Sequence, residues 1–246
     1  MHFQVSLGSF YGVDSIIDFL IVVTALLIGY QSHRIYTIIK EKNYQYFSWA
    51  FLYIGIAFIF KILSNITVIH KVILSNPDLL RELASHLKYM QIFYFTVFTL
   101  YKALLIIGFL VLFLIITKTS KKENVILFLY LSALSVLLSV YFNFVFHLTL
   151  VLIQVFLCLY FYDNYNNNKS QRSFMVFTAF VIILLSNFLG VIMDLDKTAY
   201  IVNEVLLLIG FAILLITHLR IKNDKEKNKA RSNKRPSGNI GQRKTS

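Results

Sequence analysis

Apolar side chains run almost unbroken through seven stretches of this chain, at residues 15–31, 47–69, 90–117, 125–141, 145–162, 174–193 and 200–219, with short polar segments between them. A hydrocarbon layer roughly 30 Å thick is crossed by about 20 residues of helix at about 1.5 Å per residue, so each stretch predicts one transmembrane α-helix. The fourth and fifth belong to a single apolar run, 125–162. As one helix it would be close to twice the bilayer core, so it must turn. Its polar interruption is Asn143 with His147 just beyond, which predicts a tight hairpin at 141–147.

Between the second and third stretches, Ser75-Asn76-Pro77-Asp78 reads as a helix start. Leu79, Leu80, Leu83 and Leu87 then recur at helical spacing beside Arg81, Glu82, His86 and Lys88. An amphipathic helix near 77–89, lying on the outer surface or running on into the third span, is expected there. Tyr44, Tyr46, Trp49, Tyr89, Tyr94, Tyr160, Tyr162 and Tyr200 fall where span ends should meet the interface.

Composition agrees with lipid as the solvent. Of 246 residues, 57% are hydrophobic and only 15% charged, more apolar surface than a water-soluble domain of this length can bury. Both prolines, Pro77 and Pro236, lie in polar segments, so no proline kink is expected within a span. Residues 1–14 carry no Lys or Arg, so the first apolar run lacks the basic lead of a cleaved signal and is expected to stay in the membrane.

Charge predicts the orientation. Arg34, Lys40 and Lys42, then Lys118, Lys121 and Lys122, then Lys169 and Arg172, fall in alternate loops on the side of the basic tail, which holds ten more between Arg220 and Lys244. The other side holds only Lys71, Arg81, Lys88 and Lys197. The positive-inside rule then places the amino terminus outside and the carboxyl terminus in the cytoplasm. The expected organisation is an extracellular segment at 1–14, a seven-helix domain at 15–221 and a basic, largely disordered cytoplasmic tail at 222–246. That tail is suited to anionic lipid headgroups. A protein partner in the membrane or cytoplasm is also expected, since no folded cytoplasmic domain follows, and no specific nucleic-acid contact is predicted.

Ionisable groups within spans are costly and commonly face the bundle interior, which makes each a functional candidate. Asp18, Lys61, Lys102 and Glu204 are the four, two anions and two cations that cancel. In one reading Lys61 and Lys102 line an outward-opening pocket for an anionic or polar ligand, Asp18 and Glu204 set its selectivity, and Asn65, His147, Asn187 and Asp194 add polar lining. In the other the lysines pair with the acids or snorkel, and only fix helix register. Asp194 and Asp196 are expected to be solvated, His33 and His218 to be interfacial, and the single cysteine, Cys158, to pack in the core.

Several enzyme classes lack their residues here. There is no Gly-x-Ser-x-Gly elbow, no His-Glu-x-x-His pair and no phosphate-binding glycine loop, and the seventh stretch has no lysine for a retinal Schiff base. No cofactor or metal is predicted, and the reading leans away from an enzyme. A receptor-like or accessory protein leads. A small transporter or channel, with its pathway near Lys61, Lys102 and Glu204, is the alternative.

The run Tyr44-Gln45-Tyr46-Phe47-Ser48-Trp49-Ala50-Phe51, continuing to Phe60-Lys61 after a first helix ending Gly29-Tyr30-Gln31-Ser32-His33-Arg34, resembles the opening of multi-helix membrane proteins of archaea. The topology is similar to the seven-helix membrane regions of microbial sensor proteins. The resemblance implies an archaeal plasma membrane and implies no activity.

Overall fold

The computed structural model describes residues 13–73, 80–117, 122–192 and 197–233. Their regular structure is entirely helical: α1 (Val13–Ile39), α2 (Lys42–Ile73), α3 (Leu80–Thr117), α4 (Lys122–Leu138), α5 (Asn143–Asn168), α6 (Gln171–Ile192) and α7 (Lys197–Asn233). Six of these are long and apolar enough to cross a membrane; α4 contributes only the shorter apolar stretch Val125–Leu138. A bilayer span satisfies every backbone group internally, which a helix does and an open strand does not.

α1 and α2 are joined by a two-residue turn, as are α5 and α6. In each, a lysine takes the left-handed conformation that ends a helix: Lys40 at φ 61° and Lys169 at φ 44°. Their amides bond back to the carbonyls of Tyr36 and Tyr165, both at 2.7 Å, which closes the last turn. Neighbouring helices therefore run antiparallel, and α1, α3, α5 and α7 begin at one end of the bundle, where α2 and α6 finish.

Six helices close a ring in the order α1, α2, α3, α5, α6, α7, with α7 returning to α1. α4 stands outside it against α3 and α5. At about 1.5 Å per residue α4 is about 25 Å long, short of a roughly 30 Å hydrocarbon core, yet it returns the chain to the end where α5 begins. The turn that follows differs from the expected hairpin at 141–147: α4 ends at Leu138, 139–142 form the turn, and α5 starts at Asn143, so His147 lies inside α5. The reason is local hydrogen bonding. Ser139 Oγ donates to the Val136 carbonyl at 2.7 Å and the Phe142 amide to the Leu138 carbonyl at 3.0 Å, which ends the helix before Asn143 is reached.

Within the ring the core is aromatic and aliphatic, with Phe51, Phe58, Phe109, Phe146, Phe180 and Phe211 almost wholly buried. Close approach of α2 and α3 depends on Gly108: a Cβ there would lie 2.6 Å from Ile54 Cγ1 and 3.0 Å from the Ala50 carbonyl oxygen. Cys158 belongs to this core. Outward faces are equally apolar, with Ile16 62%, Phe19 58%, Leu137 64% and Phe188 59% exposed. Water would make such a continuous apolar girdle an aggregation surface, and lipid makes it the ordinary exterior.

α3 begins before its span, so the helix expected near 77–89 is continuous with the third span from Leu80 onward; its start at 75–78 lies outside the described residues. α7 continues beyond its span, Thr198–Arg220, as helix to Asn233. Asp194, Asp196, the segment 1–12 and the tail 234–246 lie outside the described residues.

Candidate functional site

Polar side chains gather at the end of the ring where α1 and α7 begin. Three helices supply six of them, each as a pair four residues apart: Asp14 and Asp18 on α1, Lys61 and Asn65 on α2, Tyr200 and Glu204 on α7. Residues at i and i+4 stand one above the other on a helix face, one turn apart. Three such pairs facing one another therefore build two stacked tiers, each with one residue from α1, one from α2 and one from α7.

The inner tier is Asp18, Lys61 and Glu204. Lys61 Nζ donates to Asp18 Oδ1 at 2.8 Å and to both carboxylate oxygens of Glu204 at 2.7 Å. The ammonium thus carries its full complement of three donors. All three residues are buried, with Asp18 at 0%, Glu204 at 2% and Lys61 at 7% exposure. Removing charges from water costs several kcal/mol per ion, and only such a mutually satisfied arrangement offsets it.

The outer tier is Asp14, Asn65 and Tyr200. Asp14 Oδ2 accepts from the Tyr200 hydroxyl at 3.2 Å and from Asn65 Nδ2 at 3.4 Å, while Asp14 Oδ1 accepts from the Ser15 amide at 2.7 Å. Asn65 Nδ2 also reaches Asp18 Oδ2 at 3.2 Å and so stitches one tier to the other.

Beneath the inner tier lies an aromatic floor. Phe58, one turn below Lys61 on α2, has its ring centroid 5.4 Å from the ammonium. Phe58 meets Tyr101 of α3 at 6.0 Å and Phe211 of α7 at 6.1 Å, and Tyr101 meets Phe146 of α5 at 5.7 Å. These rings fill the middle of the bundle below the charges.

Of the residues singled out from sequence, Asp18, Lys61, Asn65 and Glu204 come together. Lys102 is placed elsewhere. Its Nζ donates to the Ser139 carbonyl at 2.9 Å and lies 4.4 Å from the Phe98 ring and 5.5 Å from the Phe146 ring, on the side of the ring nearest α4. His147 belongs to the α5–α6 seam, buried with its ring 4.9 Å from Phe146 and its Nδ1 without a hydrogen-bond partner among the described residues. Asn187 Nδ2 donates to Gln154 Oε1 at 3.3 Å and to the Ile183 carbonyl at 3.1 Å. A Cβ at residue 190 would overlap the His147 imidazole, so Gly190 is what lets this histidine lie on α6. His33 tilts against Tyr36 and His218 stacks on Phe47.

The charge balance read from sequence needs correction. Asp14, at the very start of α1, looks like an interfacial residue in the sequence, yet it is 3% exposed. Among the described residues the buried charges are three carboxylates, Asp14, Asp18 and Glu204, against two ammonium groups, Lys61 and Lys102. Tyr200, Ser186 and Asn203 also join the polar end; Ser186 Oγ donates to Asn203 Oδ1 at 2.5 Å and ties α6 to α7 one residue from Glu204. The recurring spacing of four on α1, α2 and α7 is the signal that points to the missing members.

Among the described residues no group of three His, Cys, Asp or Glu side chains is placed to hold a metal ion. Comparison with protein-family models, with curated proteins and with solved structures found no match to the chain.

Proposed function

We propose that this chain is a receptor-like or accessory seven-helix protein of the cell membrane, in which the two-tier charge cluster is a ligand-responsive clasp on α7. Supporting it is one observation: Lys61 ties Glu204 of α7 to Asp18 of α1, and the same α7 runs on as helix through its span to Asn233. A change at the cluster therefore has a continuous rod along which to reach the far face.

The orientation follows the lysine and arginine distribution, with the cluster end outside and the α7 extension in the cytoplasm. α4 counts as the seventh crossing because it carries the chain from the end of α3 back to the start of α5. The extension, bearing Lys222, Lys225, Lys227, Lys229 and Arg231, meets anionic headgroups or a protein partner there.

Transport is the second reading, and two features weigh against it. Transport sites are commonly built from broken helices at the bilayer midplane, whereas α1, α2 and α7 run through the cluster unbroken. The aromatic floor of Phe58, Tyr101, Phe146 and Phe211 also closes the path below the charges.

Two measurements on the reconstituted chain test the proposal. In proteoliposomes, proton and alkali-cation flux is expected to match that of empty liposomes. In a Cys158→Ala background, spin labels at Tyr162→Cys and Leu219→Cys, both exposed at the far end of the bundle, are expected to change separation when Lys61→Met opens the clasp. Flux that disappears in Glu204→Gln would establish transport instead, and an unchanged separation in a folded Lys61→Met protein would remove the clasp.

A further inference from the structure

Among the described residues the outer tier holds one carboxylate, Asp14, with no ion-pair partner of its own. Lys61, the ammonium of the cluster, is spent on Asp18 and Glu204. Lys102, the other buried ammonium, is held at Ser139 between the Phe98 and Phe146 rings. Asp14 is met by neutral donors, the Ser15 amide, Asn65 and Tyr200. Beside it in the chain, Ser15 Oγ is buried without a hydrogen-bond partner among the described residues. The amino-terminal turn of α1 offsets part of the Asp14 charge, at most about half an elementary charge. A positively charged ligand would balance the remainder.

We infer that the outer tier binds a primary ammonium group, with the Asp14 carboxylate as its charge partner and Tyr200 and Asn65 as its polar walls. The identity of the cation follows from the donor set. One carboxylate, a phenol and a carboxamide suit a hydrogen-bonding monocation, whereas a divalent metal ion wants several carboxylate or carbonyl oxygens, and no three acidic or metal-ligating side chains are so grouped among the described residues. The tier stands one helical turn nearer the helix ends than the Lys61 bridge. This inference rests on the clasp proposed above and names what the clasp responds to. Two sources share the chemistry: a free alkylammonium, or the ethanolamine headgroup of a lipid lying at that interface.

Thermal unfolding of the full chain in nanodiscs distinguishes them. In phosphatidylcholine–phosphatidylglycerol discs, ethylammonium chloride titrated against sodium chloride at matched ionic strength and pH should raise Tm. If the headgroup is the source, replacing part of the phosphatidylcholine by phosphatidylethanolamine should raise it without added amine. In either case Asp14→Asn should abolish the gain. That variant should itself fold, because it removes an unpaired buried charge and keeps the shape. Tyr200→Phe, which keeps the ring, is a second probe and should raise the half-saturating amine concentration by roughly tenfold, the loss of one hydrogen bond to a charged group. Equal Tm under all conditions, a gain from sodium as large as that from ethylammonium, or an undiminished gain in Asp14→Asn would overturn the inference. None of these results touches the spin-label separation set by Lys61, so the clasp and its ligand fail independently.

Discussion

Lys102 Nζ of α3 donates to the main-chain carbonyl of Ser139, 2.9 Å away, at the point where α4 ends. The last carbonyls of a helix have no intrahelical partner, and a cation placed there answers both the missing donor and the negative end of the helix dipole. α4 is the short helix outside the ring, so this bond pins its end to the main bundle. Lys102→Met should therefore speed amide exchange at 139–142 and in the last turn of α4. Exchange in α1, α2 and α7 should be unchanged, as read by hydrogen–deuterium exchange mass spectrometry.

The three members of the inner tier should not be equivalent. Lys61 serves two carboxylates, Glu204 takes two of its three hydrogen bonds, and Asp18 takes one. Lys61→Met strands both acids and should destabilise the protein by about 3–5 kcal/mol, the range for breaking a buried ion pair by removing one partner. Glu204→Gln should cost less and Asp18→Asn least. Unfolding in bicelles with a chemical denaturant ranks the three.

Asp18, Lys61 and Glu204 are legible in the sequence because a charge within an apolar run contradicts its surroundings. Asp14 is not, because a carboxylate at the start of a helix is ordinary there, and its burial depends on how α7 packs beside it. Lys102 looks equivalent to Lys61 along the chain. The direction a side chain takes depends on the rotation of each helix about its axis, which uniformly apolar runs do not mark, and α3 turns Lys102 toward α4. The division between α4 and α5 is visible as a polar break, but the turn falls at 139–142 because Ser139 closes it. The closed order of helices, with α4 excluded from the ring, has no sequence signal at all.

Helix packing at Gly108 supplies a test of the ring itself. Alanine there would press against Ile54 and the Ala50 carbonyl, so Gly108→Ala should cost about 1–3 kcal/mol through overpacking.

Protease added to intact cells should leave the basic end of the chain whole if, as proposed, residues 221–246 lie in the cytoplasm. Inside-out vesicles should expose the same end to cleavage at its many lysines and arginines. An epitope tag after Ser246 reports both outcomes on one blot.

The coupling between Lys61 and Glu204 is the most direct measure of the clasp. A double-mutant cycle with Lys61→Met and Glu204→Gln, measured by reversible unfolding in bicelles, should give an interaction energy above about 1 kcal/mol, as residues in direct contact do. Single-variant effects that simply add, to within about 0.3–0.5 kcal/mol, would mean that α2 and α7 are not joined there and would contradict the account.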